Sequence, residues 1–334
     1  MVVSKQFKYR QVNLTVMALL PLWLAGCAMP VVTPANDMQR LAPQVWSTYA
    51  QSVEAIKPAE FWAQWNDPTL LDLVERVQKS SPQVESALAT LRQARASIES
   101  ANAGLWPSAS VGANAQRTRP MGVTENTYKA NLSGSWDINL AGASYARYDA
   151  AIYNARSKAW ALEAVKDQLI AQVAMAYINL RAAQEKEALI KETLISYEET
   201  AKLATWKAEA GLGDLADAET ARVQVKSAEV SLYQIQKSIA EYKNAIARLI
   251  ATPNDQLPVP ETGRIPTTQK GLAANIPASI MMQRPDIRGA IESLYSAAKG
   301  VQATKADFFP TLSLTGSIGT QAATVSALGA SGTG

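Results

Sequence analysis

The chain has 334 residues, and its 32 Lys and Arg side chains nearly balance its 29 Asp and Glu side chains. This balance argues against an extended nucleic-acid-binding surface, because phosphate binding requires clustered basic charge. The absence of histidine excludes Ser-His-Asp triads and His-ligated metal sites, and the single cysteine excludes intrachain disulfides. We therefore expect no catalytic residues, no metal, no soluble cofactor and no nucleic-acid partner.

The first residues have the pattern of a secretory signal. Three basic residues precede an apolar stretch over residues 12–25, which ends in small residues just before Cys27. A basic start, a short apolar core and small residues at the cleavage point are typical of such signals. The stretch is shorter than the roughly 20 residues that span a membrane. Residues 1–26 are therefore predicted to be a signal peptide.

The sequence Leu-Ala-Gly-Cys that ends at Cys27 resembles the bacterial lipobox. The resemblance implies that Cys27 is the mature N-terminus and carries a diacylglycerol and an N-acyl chain such as palmitate. Ala28 follows it, which implies sorting to the outer membrane. The alternative is an ordinary signal peptide or an anchor helix with an incidental cysteine. Residues 27–60 are irregular and are predicted to be a lipidated tether.

Residues 61–107 are predicted to form two helices. Asp67 fits a helix N-cap and Pro68 the first helical position, so a short helix is expected to start there, with apolar positions between Leu70 and Val77. The second helix is predicted over residues 82–106.

Residues 108–140 are predicted to be a β-hairpin with strands at 108–119 and 128–140. Apolar and polar residues alternate along the second strand. Its apolar positions are Tyr128, Ala130, Leu132, Trp136 and Ile138. One face suits lipid and the other water, as in an outer-membrane barrel. We interpret Trp136 and Tyr128 as interfacial anchors, not as side chains that stack on a substrate.

A very long helix is predicted next, because residues 144–210 contain neither Gly nor Pro. Apolar or small residues recur at steps of three and four from Tyr145 to Ala183, which favours a coiled-coil-like seam. At 1.5 Å per residue this helix would be roughly 100 Å long. After a Gly-rich turn a second helix returns over residues 216–250, so residues 141–251 are predicted to be a helical hairpin.

Residues 252–284 are rich in proline and are predicted to be an equatorial connector. Residues 285–310 then repeat the spacing of residues 82–107, 203 positions later. Each copy ends in two large apolar residues and a proline, after which a strand is expected. Residues 285–334 are predicted to start a second repeat, with a strand at 311–320. We expect a fragment or truncated product that forms no conducting channel alone.

The predicted fold is mainly α with a small antiparallel β part. It combines a long helical tunnel of coiled-coil hairpins, strands of a shared transmembrane β-barrel and an internal two-fold repeat. The helices at 82–106 and 216–250 together nearly match the long helix, so they can lie end to end beside it. Because a barrel needs at least about eight strands, another chain must pair the sheet edges.

Five short motifs are distinctive in their residues and spacing. They are Phe61-Trp62, Trp65-Asn66-Asp67-Pro68-Thr69-Leu70, Ser135-Trp136-Asp137-Ile138, Gln283-Arg284-Pro285-Asp286-Ile287 and Phe308-Phe309-Pro310-Thr311-Leu312-Ser313-Leu314-Thr315-Gly316. With them the chain resembles the TolC-like outer-membrane efflux proteins, in particular the OprM-like or NodT lipoprotein branch that serves resistance-nodulation-division pumps. The resemblance implies a homotrimer in the outer membrane of a Gram-negative bacterium. Each protomer would give four strands to the barrel and long helices to a periplasmic tunnel.

The turn Ala210-Gly211-Leu212-Gly213-Asp214 is the candidate site. Its sequence also matches the dinucleotide fingerprint GxGxxA, but it follows a long helix where that motif requires a strand. The resemblance implies that a periplasmic adaptor docks at this tip. The alternative is a plain glycine-capped helical hairpin, and the two interpretations are compatible.

Asp214 and Asp217 have the spacing of paired carboxylates for a metal or for acid–base chemistry. No third ligand lies nearby in sequence, so capping of the helix N-terminus is the favoured interpretation. No gating residue is assigned.

The predicted function is that of a passive exit duct. The chain would be the outer-membrane component of a tripartite efflux system, with a periplasmic adaptor, an inner-membrane pump and outer-membrane lipid as partners. The alternatives are the outer component of a metal-ion or type I protein secretion system and, from another class, a periplasmic adaptor lipoprotein. Adaptors lack the helix-to-strand repeat, which counts against the last alternative.

Overall fold

The computed structural model describes residues 61–267 and 282–329. The predicted signal peptide, Cys27 and the tether lie outside the described residues. The described part is mainly helical with one small antiparallel sheet, as predicted. Its helices and strands are α1 (Pro68–Ser80), α2 (Pro82–Ala103), β1 (Ser108–Thr118), β2 (Glu125–Asn139), α3 (Ala143–Glu209), α4 (Leu215–Leu249), α5 (Pro285–Ala306) and β3 (Thr311–Ala322).

The N-terminus of α1 is capped as the sequence predicts. The Asp67 carboxylate accepts hydrogen bonds from the backbone N–H groups of Thr69 (2.9 Å) and Leu70 (3.1 Å). Pro68 is the first helical residue. Proline suits this position because the first N–H groups of a helix have no intrahelical acceptor.

The helix-to-strand repeat is confirmed. α2 and α5 each contain 22 residues and begin at a proline, and β1 and β3 follow them. Each helix ends in a tight turn, in which Trp106 N–H donates to Ala103 C=O (3.1 Å) and Phe309 N–H donates to Ala306 C=O (3.1 Å). α2 therefore ends three residues before the predicted Trp106. The reason is the following proline, which disfavours a helical conformation in the residue before it.

The three strands form one sheet in the order β1-β2-β3, and both neighbouring pairs are antiparallel. β2 begins three residues before the predicted Tyr128, because residues 125–127 pair with the end of β1. β3 continues two residues beyond the predicted Thr320, where Gln321 pairs with Lys129. β1 and β2 each end one residue before the predicted position, and the hairpin and the third strand are otherwise as predicted.

The long helix is also confirmed. α3 contains 67 residues, which corresponds to about 100 Å, and it begins and ends one residue before the predicted positions. α4 contains 35 residues and returns along it. Across residues 61–267 and 282–329, no helix combines the length and the apolar content that a membrane-spanning helix needs.

Different helices cover the two halves of α3. α4 contacts the C-terminal half. α5 runs along the N-terminal half, where Ser157 Oγ donates to Gly289 C=O (2.9 Å) and Ser296 Oγ donates to Ala150 C=O (2.8 Å). α2 also contacts α3, and Val84 near its start packs on the core that contains the end of α4. α2 and α4 therefore meet end to end beside α3, as predicted, with α5 as a further neighbour.

The predicted seam of α3 is correct in its middle and wrong at its start. Leu162, Leu169 and Leu180 are buried, whereas Tyr145 is 67% exposed. Ala143 and Ala146 are the buried residues of the first turn. Positions three apart lie on the same face of a helix, so Ala143 and Ala146 define the buried face at this end. Tyr145 lies on a different face and is exposed.

One apolar core joins α1 to the middle of α3 and the end of α4. Its buried members are Leu70, Leu73, Val74, Val77, Leu169, Val173, Ala174, Tyr177, Leu180, Ile246, Leu249 and Ile250. Burial of each Leu, Ile or Val side chain contributes about 1.5–3 kcal/mol. This core therefore fixes the position of α1 against the hairpin.

A buried polar network lies beside this core, and we call its four side chains the polar clamp: Asp67, Tyr177, Arg181 and Gln184. Tyr177 Oη donates to Asp67 Oδ2 (2.7 Å) and accepts from Arg181 Nε (2.9 Å). Arg181 is only 4% exposed, and its Cζ lies 4.9 Å from the centroid of the Tyr177 ring. Burial and the hydrogen bond to Asp67 raise the pKa of the Tyr177 hydroxyl, so it remains a donor at neutral pH.

The polar clamp holds the Pro-rich connector against α3. Arg181 Nη1 donates to the carbonyl oxygens of Pro260 (3.2 Å) and Thr262 (3.2 Å). Gln184 Nε2 donates to those of Pro260 (3.1 Å) and Glu261 (2.9 Å). A buried guanidinium without hydrogen-bond acceptors is costly. These carbonyl groups therefore stabilise Arg181, and Arg181 in turn holds the connector in place.

We predict that Gly263→Ala destabilises the protein and that Gly300→Ala does not. A Cβ at Gly263 would lie 2.4 Å from Arg181 Nη1, so Arg181 would have to leave its acceptors. The expected loss is about 1–3 kcal/mol of unfolding free energy. Gly300 lies inside α5 with open space around it, and alanine there should add up to about 1 kcal/mol.

The measurement is guanidinium chloride unfolding of the three purified proteins, followed by circular dichroism at 222 nm. Equal midpoints for Gly263→Ala and the wild type would contradict the role of the close approach at Gly263.

Candidate functional site at the helical tip and the sheet

The turn between α3 and α4 is a glycine-capped helix end. Gly211 has a positive φ of 71°, and its N–H donates to Ala208 C=O (3.1 Å). Leu212 N–H donates to Lys207 C=O (2.8 Å), while Ala210 is the C-cap. These two bonds make a Schellman motif, which satisfies carbonyl groups at the helix end. Glycine at position 211 is explained because other residues rarely adopt this conformation.

The other two residues of the turn start α4. Asp214 Oδ1 accepts from Ala216 N–H (2.9 Å), so the predicted N-cap is confirmed. A Cβ at Gly213 would lie 3.2 Å from Lys207 Cβ, which explains a small residue at this position. Asp217 follows in the first helical turn, where a negative charge is favourable. Within the described ranges no three His, Cys, Asp or Glu side chains lie close enough together to hold a metal ion.

The tip exposes large apolar side chains. Leu212 is 80% exposed and Leu215 is 69% exposed. In a Schellman motif the residue at the position of Leu212 frequently packs back on the helix, but here it does not. Trp206, one turn below, is also exposed, and Lys202 Nζ lies 5.0 Å from its ring centroid. The tip is therefore a hydrogen-bonded turn with exposed large apolar side chains.

The described part of the hairpin near the tip is held together mainly by alanine. Its buried residues are Ala201 on α3 and Ala218, Ala221 and Ala228 on α4. Small side chains let the two helices approach closely but bury little apolar area. The stability of the hairpin is therefore concentrated at the core and the polar clamp, far from the tip.

The polar face of the sheet carries rows of hydroxyl groups. Ser108 Oγ lies 2.9 Å from Ser135 Oγ, and Ser110 Oγ lies 2.8 Å from Ser133 Oγ. The two rows continue on β3 with Thr315 and Ser317. Nearer the helices Asp137 lies on the same face and accepts from Ser313 Oγ (2.6 Å), so this face is hydrophilic and carries a carboxylate at its helix end.

The opposite face of the sheet is apolar, as predicted. Its side chains are Ala109, Val111, Ala113 and Ala115 on β1, Tyr128, Ala130, Leu132, Trp136 and Ile138 on β2, and Leu312, Leu314 and Ile318 on β3. Val111, Leu132 and Ile318 form one cross-strand row, and all three are exposed. A soluble protein rarely leaves an apolar sheet face of this extent uncovered.

Two aromatic residues lie near the ends of this apolar face. Trp136 Nε1 donates to Leu105 C=O (3.2 Å), which ties β2 to the turn after α2. Tyr128 lies eight residues earlier on the same face, roughly 27 Å away along the strand. Outer-membrane barrels have an apolar band about 25 Å tall between aromatic girdles, and their strands are tilted. The spacing fits interfacial anchoring, which remains a prediction.

The polar clamp and the exposed side chain of Leu215 were not predicted from the sequence. Arg181 was one cation among many in a long helix, and its acceptors lie 79 and 81 positions away. Leu215 directly follows the N-cap Asp214, where helix packing does not require a large apolar residue. Its presence there could have indicated an exposed apolar surface. The structure brings Ala210, Gly211, Leu212, Gly213 and Asp214 together in one exposed turn. Docking at this turn remains a prediction.

The chain is similar in sequence to known outer membrane efflux proteins. The family model for outer membrane efflux proteins matches residues 73–252. The chain is 29% identical over 266 residues to the probable efflux pump outer membrane protein SepC of Pseudomonas putida, a match that covers 77% of this chain and 55% of SepC. It is also 29% identical over 333 residues to the toluene efflux pump outer membrane protein TtgC of Pseudomonas putida, covering 93% of this chain and 67% of TtgC.

Solved structures agree in fold. The outer-membrane channel OprN matches with a TM-score of 0.70 at 27% identity, covering 81% of this chain and 63% of OprN. The chain thus spans a little over half the length of SepC and somewhat more of the other two proteins. Because the family model matches more than half of its residues, the chain belongs to the outer membrane efflux protein family.

Proposed function

We propose that this chain is the outer-membrane channel component of a tripartite efflux system and exports drugs or other small molecules passively. The observation that carries the proposal is the continuity of an amphipathic sheet with a helical hairpin about 100 Å long. The sheet has the dimensions of a membrane-embedded strand set, and the hairpin is long enough to extend far from the membrane. Family membership speaks against the alternative of a periplasmic adaptor lipoprotein.

In this proposal the apolar face of the sheet contacts lipid and the hydroxyl face lines the exit pore. The outer edges of β1 and β3 have no neighbouring strand among the described residues. Unpaired backbone groups in lipid cost several kcal/mol each, so these edges need further strands. A homotrimer with a shared barrel, which the resemblance implies, would supply them.

The hairpin would form the wall of a periplasmic tunnel, with the tip pointing toward the inner membrane. The exposed Leu212 and Leu215 offer an apolar contact to a periplasmic adaptor, and an inner-membrane pump of the resistance-nodulation-division class would provide the energy. The channel itself performs no chemistry in this proposal. Similarity to the toluene efflux pump protein TtgC favours small organic molecules as the exported class.

We predict that cells lacking this gene retain a fluorescent amphiphilic dye. Preloaded cells should lose the dye more slowly than the wild type, because the exit through the outer membrane is missing. The measurement is dye fluorescence after re-energisation, with the gene returned on a plasmid as control. Unchanged dye loss, together with a chain that does not fractionate with the outer membrane, would contradict the proposed function.

For the tip, we predict that Leu212→Asp abolishes crosslinking to the adaptor in cells and leaves folding unchanged. Leu212 is 80% exposed and makes no packing contribution that aspartate would remove, whereas a charge desolvated in an apolar interface is costly. Gly211→Trp should have the same effect, but its positive φ adds backbone strain of about 1 kcal/mol or more.

The matched control is Met121→Asp. Met121 is a fully exposed apolar residue in the turn between β1 and β2, at the other end of the molecule, and its positive φ of 51° suits aspartate. Its crosslinking yield should equal that of the wild type. Undiminished crosslinking of Leu212→Asp would show that the adaptor contacts the protein elsewhere.

We also predict that Cys27→Ser prevents lipidation. The protein should accumulate with its signal peptide or without acyl chains, because the thiol that carries the lipid is absent. Intact-mass spectrometry of the purified protein and metabolic labelling with palmitate measure this. A wild-type mature chain that starts at another residue and has a free thiol would refute lipidation.

A further inference from the structure

One basic residue lies on the apolar face of the sheet. Along β1 the side chains of Val111, Ala113, Ala115 and Arg117 alternate onto the same face, and Arg117 lies opposite Asn126. Arg117 is exposed and makes no hydrogen bond or ion pair with another described residue. Most residues of this face are apolar, so a cation here needs a specific explanation.

The position of Arg117 along the strand provides part of this explanation. The last apolar row at this end contains Ala115, Tyr128 and Ala322, and Arg117 lies in the next row, farther from the helices. The row spacing on one face is roughly 7 Å along the strand. Tyr128 fits the aromatic girdle that marks a membrane interface, so Arg117 lies at the level of the lipid headgroups. At that depth a lipid-facing cation costs only about 0–1 kcal/mol, and its aliphatic stem can pack on apolar neighbours.

A second cation lies in the turn that follows. Arg119 is exposed, and its Nε donates to Gly122 C=O (3.1 Å), which fixes the guanidinium beside the end of β1. The nearest carboxylate on the paired strand is that of Glu125, which lies opposite Thr118 on the polar face. Arg117 therefore places a positive charge on the outward face, and Arg119 adds a second one in the adjoining turn. Guanidinium groups recognise phosphate through paired, charge-assisted hydrogen bonds.

We propose that Arg117 and Arg119 bind the phosphate group of a phosphorylated glycolipid in the outer leaflet of the outer membrane. The proposal rests on the proposed function for two points, the position of the sheet in the outer membrane and the orientation that places the helices in the periplasm and this end of the sheet at the cell surface. The lipid stands beside the apolar face with its acyl chains on Val111, Leu132 and Ile318, and its phosphate lies against the two guanidinium groups. The site would orient the sheet at a defined depth.

The test is binding of lipid A by the purified chain in detergent micelles, measured by native mass spectrometry. The wild type should bind bis-phosphorylated lipid A at least tenfold more tightly than dephosphorylated lipid A. Arg117→Gln combined with Arg119→Gln should remove this preference, whereas Lys129→Gln should keep it. Lys129 is the matched control because it is an exposed cation on the polar face of the neighbouring strand.

A double variant that keeps the preference, or a wild type that binds both lipids equally, would overturn the proposal. Inorganic phosphate that competes at the concentration of lipid A would show a simple anion site and would also overturn it. Both arginines are exposed, so circular dichroism should show unchanged folding of the variants. Cell fractionation tests the proposed function separately: a chain absent from the outer membrane defeats that proposal, while one present there with no phosphate preference defeats only this inference.

Discussion

The need to cover one very long helix determines the position of every other described element. A single helix of 67 residues cannot bury its own apolar side chains, so its neighbours must do so along roughly 100 Å. α2 and α5 contact the half nearer the sheet, α1 packs against the middle, and α4 contacts the half nearer the tip. The sheet continues this arrangement, because β1 and β3 follow α2 and α5, which lie beside α3, while β2 leads directly into α3. The order of the strands is therefore a consequence of the order of the helices.

Stability is distributed unevenly along this rod. The largest buried side chains and the polar clamp lie around Tyr177, where four separate parts of the chain meet. Toward the tip the buried residues of the hairpin are alanines, and much of the surface is left for other molecules to cover. Local opening follows buried apolar area, so the tip half can adjust its shape while the region near Tyr177 stays fixed.

The sequence was sufficient wherever local chemistry decides structure. The Asp67 cap, the long helix without Gly or Pro, the Gly211 turn and the prolines that end both helices act over a few residues, and all of them were located within three positions. The polar clamp was not predictable, because Arg181 meets carbonyl groups about 80 positions away and nothing near it in sequence marks it as buried. Tyr145 was misplaced for a similar reason: which side of a helix faces its neighbours at one end depends on tertiary contacts.

The repeat has a consequence for how copies of the sheet can join. β1 and β3 are counterparts in the repeat, and both run antiparallel to β2, which lies between them. β1 meets β2 with one edge, and β3 meets β2 with the other. Each free edge is therefore the equivalent of an edge whose pairing with β2 is already visible within a single chain. Because β1 and β3 run in the same direction, a strand that joins either free edge in an antiparallel pair must run in the direction of β2, and two three-stranded units of the same orientation could join edge to edge only through a parallel contact.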